Sequence, residues 1–136
     1  MVGVLIITHG NLGRELINAA EMIKGRLDGV VFVSVDSVKG VEDLKKEITT
    51  AIKRVDTGDG VMILTDLFGG TPSNISLSFL REGKVEVVTG VNLPMLLKLD
   101  ARNEKKLPEF AAFIRDYGRK NIYLASEVLN KDVGSK

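Results

Sequence analysis

The chain contains no cysteine and no tryptophan, and a single histidine among its 136 residues. Without cysteine there is neither a disulfide nor a thiolate metal site, a composition that suits a reducing compartment. Nineteen basic residues nearly cancel eighteen acidic ones, so no broad field draws in nucleic acid or an anionic membrane. No apolar run approaches the length that spans a bilayer, and no basic flank precedes a leader-like stretch. A cytoplasmic protein that recognises its partners locally is expected. The lone imidazole narrows the chemistry further, because histidine-phosphatase and chelatase sites ordinarily need a second one.

What is present is an alternation of apolar runs and amphipathic segments. At this length the chain should form one domain that buries roughly two-thirds of its unfolded surface. Val2 to Ile7 is a continuous β-branched-rich run, followed by Leu12, Leu16, Ala19, Ala20 and Ile23 at helical spacing. Val30 to Val33 supplies a second strand, and Val41, Leu44, Ile48, Ala51, Ile52 and Val55 a second helix. Val61 to Leu64 is a third strand. The loop from Asp66 to Gly70 leads to a helix that begins near Pro72 and stops at Gly83, and Val85 to Val88 is a fourth strand. A short helix from about Leu93 and a longer one along Leu107, Phe110, Ala111, Ile114 and Tyr117 follow, the latter capped by Gly118 in the left-handed conformation. Ile122 to Leu124 reads as a last short strand, and the polar residues from Glu127 onward as a loosely held tail.

Near-continuous rather than alternating apolar strands imply a parallel sheet covered by helices on both faces, an α/β architecture. Functional groups in such sheets gather beyond the carboxyl ends of the strands, especially where the order reverses. Thr8-His9-Gly10 leaves the first strand, Asp36-Ser37 the second, Asp66 to Thr71 the third and Thr89 to Asn92 the fourth. If the order is 2-1-3-4, the reversal sets His9 beside Asp66.

A carboxylate that accepts one ring N–H fixes the tautomer, points the other nitrogen outward and stabilises the cation. His9 and Asp66 can thus be a nucleophile and its orienting group, or equally a satisfied rim histidine and a turn residue. Gly69-Gly70-Thr71-Pro72-Ser73-Asn74 favours the first reading. Threonine is a good N-cap, proline suits the first helical turn, and the two glycines free backbone N–H groups to face an anion. An ordinary glycine turn would have the same residues. Gly10-Asn11-Leu12-Gly13 is half of a dinucleotide fingerprint with Asp36 at the ribose position, so a non-enzymatic nucleotide-binding module is a rival reading.

Taken together, the residues resemble the IIA component of the mannose family of the bacterial phosphoenolpyruvate-dependent sugar phosphotransferase system. The likeness rests on Thr8-His9-Gly10, on Asp66 through Asn74, and on Gly90-Val91-Asn92-Leu93-Pro94-Met95-Leu96, three separated motifs in order. It implies a phosphotransferase with a phosphohistidine intermediate. His9 would take a phosphoryl group from the phosphocarrier HPr and pass it to a IIB component for sugar uptake. Asp66 would hydrogen-bond His9, and Gly69, Gly70, Thr71 and Ser73 would hold the phosphoryl oxygens. It also implies an open four-stranded parallel sheet of order 2-1-3-4 with helices on both faces, in a single domain over residues 1–126; the polar composition makes 127–136 the loose tail. Ile122 to Leu124 would cross to the sheet of a second subunit in a homodimer. Leu67 stands where the family often has threonine.

Leu67, Phe68, Leu93, Pro94 and Met95 lie near the same rim and offer an apolar docking surface, Met95 more readily as core. No cofactor is implied, and the acidic residues lack metal-ligand spacing. Contact with a membrane would come only through a permease complex. The nearest alternative is a regulatory IIA, or one that feeds dihydroxyacetone kinase.

Overall fold

Four apolar runs become strands β1 (Gly3–His9), β2 (Val30–Val35), β3 (Val61–Thr65) and β4 (Val85–Thr89) in the computed structural model, which describes residues 1–134. They pair in parallel in the order β2-β1-β3-β4. The central strands explain the absence of alternation. In β1 every residue before His9 is buried, and β3 is buried throughout, because both faces are covered.

The pleat sorts these side chains into two cores. Val4 and Ile6 pack with Ala20 of α1 (Leu12–Lys24), Leu96 of α4 (Leu93–Leu97) and Phe110 and Ile114 of α5 (Leu107–Lys120). Leu5 and Ile7 face the other way, against Leu44 and Ile48 of α2 (Val41–Val55) and Ile75 of α3 (Thr71–Leu77). Each large aliphatic side chain buried here contributes roughly 1.5–3 kcal/mol. At the far end of the sheet from His9, Arg102 is buried and donates to the carbonyls of Val2, Asp28 and Gly29.

Several elements differ from expectation. The inward face of α1 is Gly13, Leu16, Ile17 and Ala20, whereas Leu12 and Ile23 are exposed. Apolar residues occur on both sides of this helix, and close approach decides between them. A Cβ at Gly13 would lie 3.1 Å from Ile6 Cγ2 and 3.2 Å from Thr8 Oγ1, so the bare glycine gives α1 its closest fit against β1 on this face. Helix α3 ends at Leu77 instead of running to Gly83. The Ser76 and Ser78 hydroxyls donate back to the carbonyls of Pro72 and Ile75, which offers the backbone an alternative to further helix.

Gly118 does not cap α5 but lies buried within it. A Cβ there would fall 2.3 Å from Met95 Cε and 2.9 Å from Met95 Cγ, so glycine is needed for α5 to pack on α4. Ile122 to Leu124 forms no strand within this chain and is exposed. The residues after it are helical, as α6 (Ala125–Gly134), where the sequence suggests an irregular tail. Alanine and leucine favour helix there, and Glu127 in the first turn suits the helix dipole. The last two residues of the expected tail lie outside the described residues.

Candidate active site

Register brings the two distant motifs together. β1 makes its last pairing with β3 at Ile7 and Thr65 but continues beside β2 as far as His9 and Val35. His9 therefore overhangs the end of β3, and Asp66 is the residue that leaves it. The imidazole Nδ1 lies 2.8 Å from Asp66 Oδ2, and the His9 backbone amide donates to the same oxygen at 2.9 Å. The second oxygen, Oδ1, accepts from the Leu67 amide at 3.0 Å. Burial pushes the Asp66 carboxyl up, but the hydrogen bonds from the His9 amide and ring, with the ring's charge, outweigh it and hold the group below the ordinary carboxylate range.

A carboxylate with both oxygens engaged is a rigid acceptor. It selects the tautomer with hydrogen on Nδ1 and leaves the Nε2 lone pair free. The two side chains divide the site by exposure: the imidazole is 51% accessible and the carboxylate 11%. The ring is thus half open to a reactant while its anchor is shielded.

Gly70 forms the wall beside the ring. A Cβ on Gly70 would lie 3.2 Å from His9 Cε1 and 3.6 Å from Nε2, tight enough to press on the imidazole. Gly69 has φ +95°, a left-handed turn that brings the chain to this approach. Gly70 is the N-cap of α3, and Thr71, expected at that place, is the first residue of the helix and is exposed. The amides of the first helical turn have no partner within the helix. Ser73 is fully buried, and its hydroxyl has no hydrogen-bond partner among the described residues.

Among the apolar rim residues, Leu67 and Phe68 are 49% and 73% exposed. Leu93 and Pro94 are half-buried, Leu93 packs against the core, and Met95 belongs to the core itself. The features of the nucleotide reading are used internally: Asp36 accepts the amides of Val38 and Lys39, and Gly13 donates its amide to buried Thr8 Oγ1 at 2.8 Å. Thr8 is a supporting residue that sequence reasoning passed over, since a hydroxyl inside an apolar strand gives no sign of which amide it will meet. Asn92 is another. Its side chain accepts from the Met95 amide and donates to the Gly118 carbonyl, tying α4 to α5. Asparagine two residues before proline is a legible N-cap signal.

The family model described as "PTS system fructose IIA component", EIIA-man, matches residues 3–115. The chain belongs to the mannose-family IIA components of the sugar phosphotransferase system. It is 30% identical over 133 residues to the "PTS system fructose-specific EIIA component" of Bacillus subtilis, covering 96% of this chain and 91% of that protein. The "PTS system mannose-specific EIIAB component" of Escherichia coli is 30% identical over 124 residues, 89% of this chain and 38% of that longer protein. The solved PTS IIA protein associated with the fucose utilization operon of Streptococcus pneumoniae superposes with TM-score 0.82 at 28% identity, over 96% of this chain and all of that one (100%). As a IIA component, the chain belongs to a family of phosphocarriers, and no helix among the described residues is long and apolar enough to cross a membrane.

Proposed function

We propose that this IIA component carries a phosphoryl group on His9 Nε2, received from phospho-HPr and delivered to a IIB component. The observation that carries this reading is the 2.8 Å contact between Nδ1 and a shielded, charged Asp66 beneath a half-exposed ring. The Nε2 lone pair attacks phosphorus as the donor's N–P bond breaks, and the bonding electrons return to the donor imidazole. One N–P bond forms and one is lost, so transfer asks for alignment and charge stabilisation more than for acid–base work.

Asp66 offsets the positive charge that grows on the ring as Nε2 bonds to phosphorus. The amides of Gly70, Thr71 and Ser73 stand at the start of α3 next to the ring and would bind the equatorial oxygens. Ser73 would act through its amide, because its side chain is inside. Thr71, exposed at the first helical position, has a hydroxyl available for the same task. Incubation with enzyme I, HPr and phosphoenolpyruvate should give one acid-labile phosphoryl group per chain. His9→Ala should give none, and equal labelling of that variant would refute the reading.

The reading extends to a homodimer. Ile122, Tyr123 and Leu124 are 75%, 68% and 63% exposed, a costly state for an extended apolar segment. β4 ends the sheet, its outer edge bridged to Arg81 at Val85 and unpaired beyond it among the described residues, beside a groove of about 460 Å³ lined by Phe68, Val87, Thr89, Ala111, Arg115 and, from the segment itself, Ile122. An unpaired stretch of edge next to an exposed apolar segment supports exchange of this segment between two subunits. Function in the cytoplasm, with the membrane reached only through a permease complex, follows from the same role.

A further inference from the structure

β2 stands at one end of the sheet, and its outer edge meets no strand among the described residues. The Gly29 and Val35 carbonyls face β1, where they accept from the Val4 and Gly10 amides. Backbone groups alternate in direction along a strand, so the amides and carbonyls of Val30, Phe32 and Ser34 point the other way. The Lys39 ammonium covers the Ser34 carbonyl at 2.9 Å and is itself tied to Glu47. The groups of Val30 and Phe32 have no partner among the described residues. Edge strands are ordinarily blunted by a charged residue, a proline or a bulge. β2 reads Val-Val-Phe-Val-Ser-Val and pairs with β1 without interruption, so it has none of these devices.

Beside this edge β2 and α2 form one groove of about 350 Å³. Val31, Val33 and Ala51 supply its apolar lining, and Lys46, Thr50 and Arg54, spaced four residues apart on one face of α2, its polar lining. Glu47 also lines it but is bound to Lys39. Lys46 and Arg54 are exposed and pair with no carboxylate among the described residues, so the unspent charge of the groove is positive. We propose that the outer edge of β2 and this groove take an acidic extended segment of a partner protein as an added strand. Backbone bonds to Val30 and Phe32 give it affinity, and carboxylates on Lys46 and Arg54 give it selectivity. The spacings agree: eight residues of helix advance about 12 Å, and strand residues four apart, which share a face, about 13 Å. A second copy of this chain fits less well, because its β2 has no acidic residue to offer and its α2 would bring like charges together. No residue of the His9 site lines the groove, so this binding is separate from phosphoryl transfer.

The test is an NMR amide-shift titration of the whole chain, at low salt, with the end-blocked synthetic peptide Glu-Val-Thr-Val-Glu, whose two carboxylates share one face of a strand. Saturable shifts should centre on Val30 to Ser34 and on Lys46 to Arg54, with slowed hydrogen exchange at the Phe32 amide. Binding should weaken about tenfold in the Lys46→Glu, Arg54→Glu double variant, with thermal melts as the folding control. A peptide with lysine in both glutamate places should weaken about as much, and so should one N-methylated along its backbone; neither depends on how a variant folds. Absence of saturable shifts at β2, or equal affinity for either control peptide, overturns the added strand. Protection of the Phe32 amide that grows with protein concentration alone also overturns it, because a second copy then occupies the edge.

Discussion

At His9 two preferences meet: the ring must be reachable, and its orientation must not depend on solvent. Asp66 resolves this by spending both oxygens on local donors, so that the carboxylate cannot swing away. Asp66→Ala keeps Nε2 but removes its support, and transfer should slow roughly a hundredfold in a rapid-quench assay. The same pair sets an acid limit. Because the folded carboxyl titrates below its ordinary value of 3.8, its stabilising contribution is complete above that pH and is lost as pH falls through the lower folded value. Denaturant titrations carried downward from the ordinary carboxyl value of 3.8 should show wild type losing stability more steeply than Asp66→Asn. Gly70→Ala tests the wall of the site: a methyl 3.2 Å from Cε1 should displace the ring and slow transfer about tenfold with little change in melting temperature. Both partners of the His9–Asp66 pair are legible in sequence, since each follows an apolar run, but the shared oxygen and the position of Gly70 depend on side-chain directions that no spacing encodes.

Among the elements, glycines record contacts that periodicity misreads. Gly118 looks like a helix stop but is where α5 touches Met95, and Gly13 looks like half of a nucleotide fingerprint but is where α1 touches β1. Gly118→Ala improves intrinsic helix propensity by up to about 1 kcal/mol. The overpacking against buried Met95 should exceed this, for a net loss of about 1–2 kcal/mol in denaturant unfolding. By contrast, Met22→Ser, on the outward face of α1 and 88% exposed, should change stability by less than about 0.5 kcal/mol. The short α3 belongs to the same class of error: its serines satisfy backbone carbonyls locally, which a count of apolar residues does not register.

For the whole molecule, the segment from Ile122 to Leu129 sets the open question of assembly. It carries the exposed side chains Ile122, Tyr123, Leu124, Val128 and Leu129, and a ten-residue helix such as α6 is marginal in water without a packed face. Light scattering should find a dimer. Ile122→Asp combined with Leu124→Asp should shift it to monomer while His9 still accepts phosphate from HPr, because the site is built within one chain. A monomeric wild type would remove the exchange.

Apolar periodicity determined the order of strands β1 to β4 and helices α1 to α5, because burial on two faces leaves a pattern that each segment carries alone. The three motifs determined the family for the same reason, being local in the chain. Which face of α1 turns inward, why Gly118 is glycine and which oxygen of Asp66 meets His9 were settled only when elements distant in sequence came into contact. Van der Waals exclusion and hydrogen-bond competition act between neighbours in space, and those neighbours do not exist until the sheet has formed.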